Sequence, residues 1–380
     1  MKRELTLGSS GWLGKIGEEF SEQNLVRLGH AFAAYLDAQC SPSPPLIAVG
    51  FDGRKNSKES ASLLAEVLAT SGINALLSSA VVPTPVLSFA VKHNKCNAGI
   101  MITGGNLPSD YNGVEFKGSY GGPFTRAETA RVGSFLSEAV KEPKGRGPSS
   151  NKGEVVISPL MPDYLSHLET IVDCSAIRSF AEDPKNNPNL LIDSMGGAGQ
   201  TIVEDFLVEC GWRAQTLFGS HENNFFDRRP ESIPSHLDAL KYNVKVVDTQ
   251  FGVAIDGDCT HCGIVFSDGT WMHEQDSFLA LLWHLRTNKK WKGGILRSGS
   301  TTGKIEKLAK AWNAPLIEAG SDNWFDKFLS GKLLMGNLSP GGYVFGNHVP
   351  ECDGILSSLL YAEMIAISAA PLHQIIQKIQ

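Results

Sequence analysis

The sequence lacks an excess of basic residues: 34 lysines and arginines stand against 40 aspartates and glutamates, for a net charge of −6. Binding to nucleic acid without sequence preference needs clustered positive charge, so this balance argues against such a partner. The chain also lacks an apolar run near the ~20 residues that cross a bilayer. The longest runs, at 355–360 and 364–370, are interrupted by serine. We therefore expect a soluble protein that binds neither nucleic acid nor a membrane.

The sequence also shows neither the cysteine spacing of a disulfide framework nor the apolar stretch of an export signal. The seven cysteines are odd in number and irregularly spaced, which is typical of reduced thiols. A glycine-serine segment follows the first residues, where a secretory signal peptide would carry an apolar stretch. We expect a cytoplasmic location.

Turn-forming residues are abundant, with 39 glycines and 19 prolines, and 42% of residues are hydrophobic. Three segments repeat one plan: a short apolar strand, a turn of small residues and an amphipathic helix. The strands are predicted at 46–51, 190–192 and 294–296. Each unit ends at a residue that stops a helix, at Gly72, Gly211 and Pro315. Such units predict three similar α/β domains with mixed, mostly parallel sheets.

Composition indicates where the domains meet. Residues 142–153 contain turn formers and no apolar periodicity, which is typical of a linker. A second turn, at 267–270, follows an apolar strand and precedes a helical stretch. We therefore predict a first domain over 1–153, a second over 154–268 and a third over 269–380.

Several short loops occur in a fixed order along nearly the whole chain. They read LGSSGWLG at 7–14, VGFDGR at 49–54, VPTP at 82–85, AGIMIT at 98–103, IDSMGGAG at 192–199, FGVAIDGD at 251–258, GNLS at 336–339 and DGIL at 353–356. In this order they resemble the loops of the α-D-phosphohexomutase superfamily, which contains phosphoglucomutases, phosphomannomutases and phosphoglucosamine mutases. The resemblance implies transfer of a phosphoryl group between the 1- and 6-hydroxyls of a hexose through a phosphoserine. It also implies Mg²⁺ held by three aspartates of a DGDxDR loop.

The nucleophile loop departs from the family pattern. The family's TASHNP aligns with TGGNLP at 103–108, so Gly105 stands at the phosphoserine position and Asn106 at that of the neighbouring histidine. Glycine has no side chain to carry a phosphoryl group, and asparagine does not change protonation near neutral pH. Ser109, four residues on, is a weak substitute because its backbone is not at the loop position that in-line attack needs.

The metal loop keeps two of the three carboxylates. Asp256 and Asp258 remain, whereas Thr260 replaces the third aspartate and His261 the arginine. Mg²⁺ prefers octahedral oxygen coordination, so we expect no cofactor or only weak Mg²⁺ binding. The two aspartates are either a residual metal site or loop formers whose carboxylates accept from backbone N–H groups. His261 exchanges a permanent cation for a side chain that is mostly neutral at pH 7.

The sugar- and phosphate-binding positions are depleted as well. Leu13 stands where the family's N-terminal loop carries arginine, and Asn337 and Leu338 replace acidic sugar-binding residues. No counterpart of the family's fourth, phosphate-binding domain is found before Gln380, so we expect a homodimer or a protein partner at the surface that it would cover. The residues that we expect to contact a hexose phosphate are Ser10, Arg54, Thr103, Asn106, Lys327 and Ser339.

Three other patterns have simpler explanations than a site. Cys259 and Cys262 form a single CxxC without the second pair of ligands of a structural zinc site, so we favour one buried thiol and one loop residue. The GGAG turn at 196–199 lacks the lysine of a P-loop, and tight strand–helix packing explains it. Tryptophans near element ends more often complete a core than stack on a sugar. These are Trp212, Trp271, Trp283, Trp291 and Trp324.

Together these substitutions predict a phosphohexomutase-like pseudoenzyme that has lost phosphoserine-based mutase activity. Its role would be sugar-phosphate binding, regulation or protein–protein interaction. The alternative is a sugar-phosphate enzyme of carbohydrate metabolism, either a mutase-type intramolecular phosphotransferase with another phosphoryl carrier or a repurposed derivative. In the repurposed form Asn106, Asp258 and His261 would act, with His261 as proton carrier.

Overall fold

Strands and helices alternate through most of the chain in the computed structural model, which describes residues 5–39, 44–139, 152–298, 303–319 and 323–379. Cys40 and most of the predicted linker, residues 142–151, lie outside these ranges. The chain divides into two units. The first contains residues 1–164 and 222–229, and the second contains residues 165–221 and 230–380.

The first unit is built on a seven-stranded sheet. Its strands are β1 (Gly11–Lys15), β2 (Leu46–Phe51), β3 (Asn74–Ser78), β4 (Ala98–Ile102), β5 (Tyr111–Gly118), β6 (Gly122–Pro123) and β7 (Val155–Ser158). They lie in the order β1-β5-β4-β2-β3-β7, with β6 beside β5. Strands β4, β2, β3 and β7 are parallel, whereas β5 runs antiparallel to β4 and β1 to β5. Strand β7 follows the predicted boundary at residue 153 but pairs with β3, so the first sheet extends past it.

Four helices belong to this sheet: α1 (Glu22–Asp37), α2 (Ser57–Thr70), α3 (Thr84–His93) and α4 (Arg126–Ala139). Apolar side chains of α1 and α2 and of the sheet form one core, which includes Phe32, Leu64 and Phe116. Helix α2 ends before Gly72, whose φ of +83° is a left-handed conformation that glycine adopts without strain.

The second unit contains two four-stranded sheets. One has the order β11-β10-β8-β9 and the other β13-β12-β14-β15. The strands are β8 (Asn189–Asp193), β9 (Arg213–Leu217), β10 (Phe251–Ile255), β11 (Cys262–Phe266), β12 (Gly294–Arg297), β13 (Leu316–Glu318), β14 (Leu333–Ser339) and β15 (Gly342–Phe345). In each sheet three strands are parallel and one edge strand, β11 or β15, is antiparallel. The prediction of three α/β folds with mixed, mostly parallel sheets is confirmed.

The remaining helices are α5 (Met161–Ile171), α6 (Cys174–Glu182), α7 (Ile202–Glu209), α8 (Asp238–Val246), α9 (Glu274–Trp283), α10 (Gly303–Ala311), α11 (Asn323–Leu329), α12 (Gly354–Ser368) and α13 (Leu372–Ile379). A π-helical turn, His284–Asn288, continues α9. Asp353 caps the start of α12, since its Oδ1 accepts a hydrogen bond from the Leu356 N–H at 2.8 Å. Among the described helices none alone is long and apolar enough to cross a membrane, and only α12 with α13 reaches that size, as a pair bent by 84°.

Neighbouring parallel strands place their following loops side by side. The carboxyl ends of β2 and β4 lead into the loops at 52–57 and 103–108, and those of β8 and β10 lead into 193–199 and 256–261. Parallel strands end at the same edge of a sheet, which is where α/β folds bind ligands. These loop pairs are the candidate sites of the two units.

Candidate functional site

Arg54 holds the loop of the first unit in place. Its Nη2 donates to the carbonyl oxygens of Gly105 at 2.6 Å and Leu107 at 2.8 Å. Its Nη1 donates to the carbonyl oxygens of Pro108 at 2.7 Å and Tyr111 at 3.1 Å. The planar fork of a guanidinium group suits such convergent acceptors. The Arg54 side chain is fully buried, so its visible role is to shape this loop, and its predicted contact with a ligand stays a prediction.

Asp52 is the acceptor that orients Arg54, although it is not among the site residues predicted from the sequence. Its Oδ2 accepts from Arg54 Nε at 3.1 Å and from Thr103 Oγ1 at 2.7 Å. Its Oδ1 accepts from the Arg54 N–H at 3.0 Å and from Ser57 Oγ at 2.7 Å. Phe225 lies beneath the guanidinium, with its ring centre 4.7 Å from Cζ. An aspartate directly after a buried strand and two residues before an arginine is the sequence signal that could have identified this network.

Gly105 occupies a left-handed turn, with φ of +57°. A Cβ atom built there would have no heavy atom within 4 Å, so the position faces open space. Thr103 Oγ1 accepts from the Gly105 N–H at 2.9 Å while it donates to Asp52, so both functions of that hydroxyl are in use. Asn106 is half-buried in the same turn. The structure thus brings Arg54, Thr103 and Asn106 into one loop cluster around a residue with no side chain.

The loop of the second unit is closed on itself by His261. Asp256 Oδ1 accepts from the His261 N–H at 2.9 Å, and Asp256 Oδ2 lies 3.0 Å from His261 Nδ1. Thr260 Oγ1 donates to Asp258 Oδ1 at 2.9 Å and lies 2.8 Å from the same imidazole nitrogen. The two aspartates are buried, and their partners here are protein donors.

The electrostatic surroundings of His261 raise its pKa. Burial alone would lower the pKa of His261, but the carboxylate of Asp256, with those of Asp258 and Glu351, more than offsets this and raises the pKa. The shift favours the imidazolium relative to an ordinary histidine, because buried carboxylates lie beside the ring. The expectation that the imidazole is mostly neutral at pH 7 stays a prediction.

His261 also connects the two sheets of the second unit. Its Nε2 forms a hydrogen bond of 2.7 Å with Ser339 Oγ, at the end of β14. The carbonyl of Gly341 accepts from the Cys262 N–H at 3.0 Å. A Cβ atom on Gly342 would lie 2.9 Å from His261 Nε2, so glycine there admits the imidazole ring. The retained sugar-loop serine therefore already has a partner within the chain.

The donor set does not fit the three-aspartate Mg²⁺ site that the resemblance implies. Both oxygens of Asp256 are used by His261, and the third carboxylate is absent. Among the described residues no three histidine, cysteine, aspartate or glutamate side chains are grouped as metal ligands. Cys259 and Cys262 are buried, and burial raises the pKa of Cys262 to about 12, so this thiol is a poor metal ligand at neutral pH.

Two predicted contact residues lie outside both hydrogen-bonded clusters. Ser10 is half-buried before β1, and its carbonyl accepts from the Phe116 N–H at 2.9 Å. Lys327 is exposed on α11. In the depleted sugar loop, Asn337 Oδ1 accepts from Ser298 Oγ at 2.5 Å. Roles for these residues in binding, and the expected homodimer or protein partner, stay predictions.

Comparison with known proteins extends over both units. Residues 4–142, 162–269 and 274–380 match the models of domains I, II and III of phosphoglucomutase/phosphomannomutase. A phosphoglucomutase/phosphomannomutase of Thermococcus kodakarensis is 24% identical over 375 residues, which cover 98% of this chain and 79% of the relative. A phosphoglucomutase of Neisseria meningitidis is 29% identical over 257 residues, covering 67% of this chain and 52% of that protein.

Solved structures show the same fold. A protein of Thermus thermophilus, provisionally named a phosphomannomutase, superposes with a TM-score of 0.89 at 28% identity. The match covers 100% of this chain and 84% of that one. Parafusin, a phosphoglucomutase of Paramecium, superposes with a TM-score of 0.85 at 18% identity, covering 99% of this chain and 75% of the other.

Proposed function

Because the chain belongs to the phosphoglucomutase/phosphomannomutase family, we propose that it binds a hexose phosphate. We also propose that it does not catalyse the phosphoserine-dependent transfer of the phosphoryl group between two hydroxyls of that sugar. The observation that carries the proposal is Gly105. The family's chemistry stores a phosphoryl group on a side-chain oxygen between two transfers, and position 105 has no such oxygen.

Nearby hydroxyls are poor replacements. Thr103 is buried and bonded to Asp52, so its oxygen is neither exposed nor free to attack. Ser109 is half-buried and lies four residues from the position at which the family carries its nucleophile. Transfer through either hydroxyl would require a rearrangement of the loop that Arg54 holds with four carbonyl contacts.

Charge stabilisation is also weakened in the second unit. Phosphoryl transfer depends on cations that neutralise charge as it develops. The donor set at 256–261 disfavours Mg²⁺, and His261 contributes at most one positive charge that Asp256 already balances. One such charge, with Lys327 exposed on α11, supports attraction of an anionic sugar better than it supports turnover.

An active mutase is the competing function, and the names of the relatives favour it. The Thermococcus and Neisseria proteins are both named as mutases. If this chain shares that activity, it must use a phosphoryl carrier other than residue 105, such as a free bisphosphate or Ser109.

One set of assays separates the two functions. The purified protein is incubated with glucose 1-phosphate, mannose 1-phosphate or glucosamine 1-phosphate, Mg²⁺ and a hexose bisphosphate, and the 6-phosphate product is measured. Calorimetric titration with the same sugar phosphates, with and without Mg²⁺, measures binding. We expect saturable binding and no product above a no-protein control. Robust turnover would refute the proposal and support the mutase, and absence of both would refute sugar-phosphate binding.

Gly105→Ser tests the nucleophile position directly, with Gly105→Ala as the matched control. Both variants add a Cβ to the same left-handed residue, and only serine adds an oxygen. We expect neither to gain mutase activity, because the metal carboxylate and the sugar-binding acids are also missing. Rescue by serine alone would mean that the rest of the site is intact. Intact-mass measurement after incubation with the bisphosphate reports whether either chain becomes phosphorylated.

A further inference from the structure

A polar pocket of about 430 Å³ lies in the second unit, away from the His261 hydrogen-bond network. Its walls come from the end of α5, the start of α6, the π-helical turn after α9, and α12. None of the described residues that line it belongs to the loops that carry the family resemblance. It therefore requires its own explanation.

The base of the pocket is a buried ion pair. Lys289 Nζ donates to Glu363 Oε1 at 2.8 Å, to Glu363 Oε2 at 3.1 Å and to the carbonyl of Ile171 at 2.6 Å. Glu363 Oε2 also accepts from the Asp173 N–H at 3.1 Å. The three protons of Lys289 thus have partners inside the protein.

The walls offer an aromatic face and several polar groups. Trp291 is half-buried, and Lys289 Nζ lies 5.7 Å from the centre of its ring. Asn288 Nδ2 lies 3.1 Å from His284 Nδ1, which leaves Asn288 Oδ1 available as an acceptor. Asn347 also lines the pocket and is exposed to solvent.

We propose that this pocket binds the ring of an uncharged hexose, stacked on Trp291 and hydrogen-bonded by Asn288, Asn347 and Asp173. A sugar ring has apolar C–H faces that pack on an indole and hydroxyls that pair with amide and carboxylate groups. The volume accommodates one monosaccharide with space for a substituent. This changes the expectation from sequence that Trp291 serves only to complete a core.

The charges of the lining select against a phosphate. Asp173 and Glu363 contribute two carboxylates, and the lining cation in the described part of the chain, Lys289, is already bonded to Glu363. An anion entering the pocket would face unbalanced negative charge, whereas neutral hydroxyls would not. The pocket is therefore distinct in chemistry from a hexose-phosphate site.

Binding is tested with D-glucose, D-mannose and N-acetyl-D-glucosamine on the full chain. Saturation-transfer-difference NMR detects the contact, and calorimetric titration measures the affinity. We expect at least one of these sugars to bind, and Trp291→Ala to weaken it by about tenfold or more, as loss of a central aromatic contact does. Asn347→Ala should also weaken it, and because Asn347 is exposed, this variant keeps the fold.

Matched controls are Tyr242→Ala, an exposed aromatic on α8, and Asn223→Ala, an exposed asparagine; both should bind as the parent chain does. Glucose 6-phosphate should bind this pocket more weakly than glucose does. For each ligand, the loss of affinity in the Trp291→Ala variant measures the binding that occurs in this pocket. No detectable binding of any of the three sugars up to tens of millimolar would overturn the proposal. Binding that survives both pocket substitutions but is lost in Ser339→Ala would also overturn it, since the sugar would then lie at the other cluster.

Discussion

Replacing Arg54 should loosen the loop over 104–111 and lower the stability of the first unit. Arg54→Met removes all of the guanidinium donors and leaves Asp52 as a buried carboxylate without its cation. Removal of one partner of a buried ion pair costs about 3–5 kcal/mol, because the remaining charge stays desolvated. Arg54→Lys keeps the charge but provides at most three donors without the planar fork. Two unsatisfied carbonyls in a partly buried loop then cost about 2–4 kcal/mol.

Hydrogen–deuterium exchange on peptides covering 103–113 measures the loop directly, and urea unfolding measures the stability. We expect faster exchange in both variants, with Arg54→Met more destabilised than Arg54→Lys. Lys55→Met is the matched control, since Lys55 is the exposed neighbour. The idea that the four carbonyl contacts hold the loop would be wrong if two results occurred together. The free energy of unfolding of Arg54→Met would lie within about 1 kcal/mol of the parent value, and the amide hydrogens of the loop would exchange at the parent rate.

Two further changes test the loop of the second unit. His261→Gln removes a side chain whose pKa is raised in the folded state. The stability that this imidazole contributes is fully present below its ordinary pKa of 6.5 and is lost as the pH rises through its pKa in the folded protein. In thermal unfolding the difference between parent and variant should therefore be largest near pH 5–6 and shrink at higher pH, and a difference that grows with pH would contradict the Asp256 pairing. Gly197→Ala places a Cβ 2.6 Å from the carbonyl oxygen of Gly257, and should destabilise by about 1–3 kcal/mol. Gly133→Ala, in α4 with its nearest atom at 3.7 Å, is the control and should be neutral or stabilising; equal effects would refute the close-approach explanation.

The strand and helix pattern could be predicted because local signals agree with the fold. The predicted strand at 46–51 and the helix end at Gly72 both occur, since an apolar run bounded by turn residues and a left-handed glycine are decided within a few residues. Composition does not reveal that the first sheet continues past residue 153. Strand β7 is short and half-exposed, so its own residues give little sign of a sheet. It joins the first sheet by pairing with β3, which lies about eighty residues earlier in the chain.

The loops of the two clusters could be located from the sequence, but the hydrogen bonds within them could not. Alignment with the family's loops indicates that position 105 carries no nucleophilic side chain and that position 260 carries threonine in place of aspartate. It does not reveal that Asp52 accepts from three side chains or that His261 reaches Ser339, because the Asp52–Thr103 and His261–Ser339 contacts join residues 51 and 78 positions apart. A local charge pattern also cannot report that Asp256 Oδ2 lies 3.0 Å from His261 Nδ1, and the carboxylate of Asp256 is the main group that raises the pKa of His261.

The two clusters differ in how much space surrounds the residue that departs from the family pattern, and this difference decides what a substitution there would require. At position 105 a side chain is missing and the space is open, so serine can be added for the cost of one left-handed residue. At 256–261 the space is occupied, because Thr260 and His261 use the hydrogen-bonding capacity of Asp256 and Asp258. Aspartate at 260 would break the bond to Asp258 and place a third carboxylate beside two buried ones, which is unfavourable until a cation binds. A hydroxyl can therefore be added at position 105 by one substitution, whereas a third carboxylate at position 260 requires the His261 network to rearrange.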